Sequence, residues 1–315
     1  MLMTLTEWIF AAATVLFAAL LAALVFHGRR LKKLDPFSGR GTLQEGLGPK
    51  EWEHQMIELA RDHCSVKWKS TRSIVGKYNQ IAYRKINKIR SIISGAPSDV
   101  IALIPSARWL FDNFQMMYRE IKKIKTTGTN YLSLPHLKSS EYRGYPRIYI
   151  IARKMVEISG GYLHEENIAL MIDAYQSICP LTERELTVLP EMLGFCLMER
   201  IIDVSSEIIH VIRVKVRAER FVRERLVDKE GYLEITPLLV KLDNADADIS
   251  FHSHVIYLLK NRAVDDAAIA RYVAYHFNTE GEKINAAAVF KDEGRKASML
   301  ESCVRTLITS LRELN

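Results

Sequence analysis

The chain has 315 residues, 48% of them hydrophobic and 26% charged, with 44 Lys and Arg against 37 Asp and Glu for a net charge of +7. That length supports one or two ordinary cores, and that balance excludes an intrinsically disordered chain. Its four cysteines, Cys64, Cys179, Cys196 and Cys303, lie far apart with no CxxC pair, which excludes a disulfide-built scaffold and suits a reducing compartment.

The first element is the apolar run from Trp8 to Phe26, WIFAAATVLFAALLAALVF, with no charge and only Thr14 polar. As a helix rising about 1.5 Å per residue it spans a bilayer core of about 30 Å. A secretory signal would place basic residues before the run and a small-residue cleavage site after it. Here Glu7 precedes it, and His27, Arg29, Arg30, Lys32 and Lys33 follow. The expectation is a retained anchor over residues 1–27. By the positive-inside tendency, the bulk of the chain after Gly28 then lies on the cytoplasmic side of the inner membrane, in a single-pass topology.

A basic juxtamembrane segment and a Gly- and Pro-rich linker occupy residues 28–50. Residues 51–315 read as one helical domain, with a point of subdivision near 228–235. Trp52, Met56, Leu59 and Ala60 recur at helical spacing, as do Ile74, Tyr78, Ile81, Ile86 and Ile89; the mixed intervals favour a packed bundle over a long coiled coil. Pro105-Ser106 opens a helix carrying Trp109, Leu110, Phe114, Met117 and Ile121. The stretch Thr126 to Arg143 is a long connection whose Tyr131, Leu132, Leu134 and Leu137 predict packing onto the bundle. Helices follow at about 146–158, 165–178 and 183–226, then three or four shorter ones, the last from near Glu282. Pro190 predicts a kink in the long helix or marks its true first turn. No βαβ rhythm is present. The fold class is mainly α: an N-terminal transmembrane helix followed by a multi-helix bundle.

Two joints are unusually particular. Gly144-Tyr145-Pro146-Arg147 sets a permissive residue ahead of a proline at a helix start. Pro180-Leu181-Thr182-Glu183-Arg184-Glu185 is a stop followed by a capping box, with Thr182 as cap and Glu185 reaching back to it.

Candidate chemistry is sparse. Asp246-Ala247-Asp248 matches the Asp-x-Asp pattern that holds a divalent metal against a nucleotide diphosphate, but its setting is an inter-helix loop, where Asp and Asn serve as caps. His252 and His254, one residue apart, point to different faces of a helix and make a poor metal pair. His164-Glu165-Glu166 reads as acidic residues at a helix N-terminus, Cys196 as core packing, and Asp112 with Asn113 as a buried hydrogen-bonded joint. No GxSxG, Walker, Rossmann or HExxH pattern occurs. Basic runs (Arg84, Lys85, Lys88, Arg90; Arg119, Lys122, Lys123, Lys125; Arg213 to Arg225) suit anionic lipid headgroups. No helix-turn-helix, zinc knuckle or aromatic RNA-binding signature points to nucleic acid.

Three blocks in one order resemble the region preceding the glycosyltransferase module of bacterial cyclic β-1,2-glucan synthases: WLFDNF at Trp109–Phe114, GYPRIY at Gly144–Tyr149, and AYQSICPLTERELTVLPEMLGFCLMERI at Ala174–Ile201. The tail, EGRKASMLESCVRTLITSLREL, is similar to a later helix of the same family. The resemblance implies a role in making β-1,2-glucan from UDP-glucose at the cytoplasmic membrane. In that family polymerisation, cyclisation and length control belong to later modules, so no catalytic residue carries over and this chain is expected to need no cofactor of its own. The expected joint-forming residues are Trp109, Asp112, Asn113, Tyr145, Pro146, Arg147, Tyr175, Gln176 and Glu185, with packing or capping as the ordinary role of each. The leading reading is a membrane-anchored, non-catalytic helical module partnering the transferase part of such a synthase. The runner-up is a membrane-tethered scaffold or sensor that binds another protein. A complete small enzyme turning over UDP-glucose is the third, and the motif inventory argues against it.

Overall fold

The computed structural model describes residues 46–64, 68–69, 75–127, 134–137, 145–229, 232–242, 249–277 and 286–314. The run expected to anchor the chain in a membrane, most of the linker, Gly144 and the Asp246–Asp248 pattern lie outside these. Among the described residues no helix is long and apolar enough to cross a membrane.

The described residues form ten α-helices: α1 (Pro49–Cys64), α2 (Val75–Gly95), α3 (Ser98–Ala102), α4 (Pro105–Thr127), α5 (Arg147–Ile158), α6 (Glu165–Gln176), α7 (Glu183–Arg225), α8 (Ile249–Asn261), α9 (Asp266–Phe277) and α10 (Ala286–Glu313). The mainly helical expectation holds. Two small antiparallel pairings, which the absence of alternation left unseen, add to it. Strand β1 (Trp68–Lys69) pairs with β2 (His136–Leu137), and β3 (Val227–Lys229) pairs with β4 (Tyr232–Glu234) in the register Val227↔Glu234. The second hairpin stands where the long helix was expected to end.

Helix α7 is the spine. Its 43 residues reach about 65 Å at 1.5 Å per residue. The predicted capping box is present: Thr182 Oγ1 accepts from the Glu185 amide at 3.3 Å, and the Glu185 carboxylate accepts from the Thr182 amide at 3.0 Å. The helix therefore starts at Glu183, and Pro190 lies inside it rather than in its first turn. Pro190 removes the donor for the carbonyl of Leu186, and both residues are on the exposed face, so that oxygen is not left in the apolar core.

The apolar core divides along this spine. Residues of α7 up to Ile212 share one core with α1, α2, α4, α5, α6 and α10; those from Val214 to Val222 share a second with the turn at Thr236–Leu238, α8 and α9. Gly161 closes the first core. At φ +86° it holds a conformation that costs other residues, and a Cβ there would lie 2.4 Å from Leu307 Cδ2 of α10. The described start of the chain docks on the end of α5, where the Ile158 carbonyl accepts from the Leu47 amide at 2.7 Å and the Trp52 indole at 3.1 Å.

Candidate functional site

Two of the sequence blocks meet at the start of α5. Pro146 caps that helix in an extended conformation, and the Arg147 amide donates to Pro135 O at 2.8 Å beside β2, so the helix begins where its side chain faces the joint before α7. There Arg147 Nε and Nη2 grip the Glu185 carboxylate at 2.8 and 2.5 Å. Nη2 also reaches Pro180 O at 3.2 Å, and Nη1 reaches Cys179 Sγ at 3.3 Å. Glu185 is fully buried and Arg147 only 6% exposed. Burial opposes the charge on Arg147, but the hydrogen bond and field of Glu185 overcome it, and the guanidinium is held more firmly protonated than usual.

Helices α1 and α6 complete this polar knot. His63 Nδ1 sits 2.7 Å from the Tyr175 hydroxyl. Burial, then the Arg147 charge, lowers the His63 pKa from 6.5 to about 4. The neutral ring therefore accepts, and Tyr175, its own pKa pushed up by burial, donates. Cys64 donates to the Ile178 carbonyl at 3.4 Å and lies within hydrogen-bond reach of Cys179, a contact that raises the Cys64 thiol pKa. These two cysteines, 115 positions apart (179 minus 64), have no sequence spacing that would have paired them.

A second buried charge cluster lies farther along the same two helices. The Tyr149 hydroxyl donates to Glu199 at 2.8 Å, and Arg153 Nη1 contacts both the Tyr149 oxygen at 3.0 Å and Glu199 at 3.3 Å. Tyr145 stacks on Tyr149 with ring centroids 4.9 Å apart. Burial and the Glu199 charge hold the Tyr149 phenol well above its ordinary pKa, so it stays a donor.

The remaining blocks also pair. Arg312 of α10 donates to Asn113 Oδ1 at 2.5 Å, and Asn113 Nδ2 donates to Trp109 O at 2.7 Å. The Arg305 guanidinium sits 5.2 Å from the Trp109 ring. The WLFDNF block thus meets the SLREL tail. Asp112 departs from the expectation: it is exposed, and the buried joint is made by Asn113 without it. Gln176 is half-buried at the end of α6.

His252 and His254 do face different surroundings. His252 Nδ1 is 2.8 Å from the Tyr272 hydroxyl, and His254 stacks on Tyr257 near Lys215 Nζ at 3.5 Å. No group of three or more His, Cys, Asp or Glu that could hold a metal occurs among the described residues. An open groove of about 510 Å³ lies between the end of α2 and α7, with Ile92, Pro97, His210, Arg213 and Val216 among its walls.

No protein-family model matches the chain. Over 218 residues it is 24% identical to the cyclic beta-(1,2)-glucan synthase NdvB of Rhizobium meliloti (strain 1021). The relationship is distant. The match takes in 68% of this chain and 8% of that synthase, so the chain spans a small part of the relative's length.

Proposed function

We propose that this chain is a membrane-anchored, non-catalytic helical module of cyclic β-1,2-glucan synthesis, supporting or regulating a UDP-glucose-dependent glycosyltransferase. The observation that carries the reading is the pairing of the resembling blocks. GYPRIY closes on PLTERE through Arg147 and Glu185, and WLFDNF closes on the SLREL tail through Asn113 and Arg312. A remote similarity resting on apolar positions common to any bundle would not select both polar partners of two separate joints. The buried guanidinium and carboxylate bond to one another, to the backbone and to the Cys179 and Thr182 side chains, which suits holding helices in place more than turning over a substrate. Exposed Arg84, Lys85, Lys88 and Arg90 on α2, and Arg119, Lys122 and Lys123 on the adjacent α4, suit anionic headgroups beneath an anchor at residues 1–27.

The test is complementation. The chain is co-expressed with a synthase lacking the corresponding region, and membrane β-1,2-glucan is measured. Restored glucan is expected; none would overturn the module reading. A membrane-tethered scaffold for a protein partner is the second reading, favoured by the open groove with His210 and Arg213 on its wall. It predicts a stable protein complex that Arg213→Glu dissolves, with glucan unchanged.

A further inference from the structure

Cys64 and Cys179 are neighbouring thiols, and their settings differ in a useful way. Cys64, at the last position of α1, is exposed; Cys179, three residues past the end of α6, is buried. Cys64 Sγ lies 3.4 Å from the carbonyl oxygen of Ile178, the peptide group leading into Cys179, and the two thiols are within hydrogen-bond reach. The Arg147 guanidinium is 3.3 Å from Cys179 Sγ and holds that sulfur in place. Accessibility makes Cys64 the sulfur that an oxidant meets and the neighbouring Cys179 the sulfur that resolves the product; the same contact that raises the Cys64 pKa thins its thiolate, so the first step needs a strong dose of oxidant.

We propose that Cys64 and Cys179 are a peroxide-oxidisable pair whose disulfide latches α1 to the joint between α6 and α7. The Cys64 sulfur attacks one peroxide oxygen; the S–O bond forms, the O–O bond breaks, and the second oxygen leaves as water after taking the thiol proton. The Cys179 sulfur then attacks the Cys64 sulfenic acid. The S–S bond forms, the S–O bond breaks, and the hydroxyl leaves as a second water with the Cys179 proton. Two thiols lose two electrons in total, and one peroxide becomes two waters. A thiol reductant reverses the step by exchange.

The disulfide closes a long loop and fixes the helix that carries His63 against Tyr175 and Arg147. It couples oxidation to the knot that holds α5 on α7, and it stands independently of the glucan reading.

The full chain is treated with graded hydrogen peroxide, alkylated, and mapped by mass spectrometry without reduction. The expected product is a Cys64–Cys179 cross-linked peptide with a loss of about 2 Da, restored by dithiothreitol, and a rise in melting temperature of roughly 5 °C. Cys64→Ser, at an exposed site that leaves the fold intact by circular dichroism, should lose both the cross-link and the shift. A cross-link to Cys196 or Cys303, or sulfinic acid on Cys64 beside an unreacted Cys179 thiol, would overturn the proposal.

Discussion

The two halves of α7 bury polar groups by opposite means. Toward its start, Arg147 and Arg153 of α5 remain charged in the interior, each held against a carboxylate of α7, Glu185 or Glu199. Toward its end, burial drives the groups toward neutrality. His254 is lowered to about 4 by burial and then by Lys215, Lys215 is itself lowered by burial, and Tyr272 is raised by burial as it meets His252. The difference teaches when a protein interior keeps a charge. A guanidinium held against a buried carboxylate regains what desolvation costs, whereas an imidazole buried beside an ammonium stays neutral.

The sharpest way to break this contrast is Glu185→Ala, which leaves Arg147 buried without its carboxylate and removes half the capping box. Urea unfolding should show a loss of about 4 kcal/mol. The double variant Arg147→Met with Glu185→Leu should recover most of that, apart from roughly 1 kcal/mol for the cap. Should the double variant be as unstable as the single one, the pair's contribution would exceed what a packed apolar substitute supplies.

The second test uses pH. In the unfolded chain an imidazole binds its proton near 6.5, whereas folded His63 and His254 do so only near 4. Their contribution is therefore fully present above pH 6.5 and is lost as pH falls toward 4, by on the order of 3 kcal/mol each. Stability measured against pH should fall across that window, and His254→Gln should flatten the fall while leaving the ion-paired half unchanged.

Smaller effects test the closures around the first core. Gly161→Ala pays both for its positive φ and for the clash with Leu307, and should lower stability by about 2 kcal/mol in thermal unfolding. Arg312→Ala removes the Asn113 bond at the edge of the core and should lose about 1 kcal/mol. Asp112→Ala, exposed on the same helix, should change little.

Much of this contrast was legible in the sequence, and what escaped it had a physical reason. Helical spacing placed Met56, Ile86, Leu110 and Met117 in the core, because burial on a helix imposes a period that composition displays. The capping box was legible because its two partners lie three residues apart. Arg147 and Glu185 were each singled out as local joint residues, yet nothing local said that they bind one another across 38 positions. His63 drew no attention and Cys64 read only as one of four scattered cysteines, because an unremarkable helix end carries them and their meaning comes from Tyr175 and Cys179. Asp112 was misplaced because adjacent residues on a helix are turned about 100° from one another, so its neighbour Asn113 faces α10 while it faces solvent.

The oxygen of Ile158 carries a mechanical consequence. The Leu47 amide and the Trp52 indole both fasten to it, so a pull applied through residue 46 meets the Leu47 bond first and the Trp52 bond behind it. If the first yields, the second still holds the chain to the same oxygen. What lies behind that oxygen is the C-terminal end of α5, riveted to the spine by two arginines. Tension on the leading segment is thus delivered to the helix that two buried ion pairs tie to the spine.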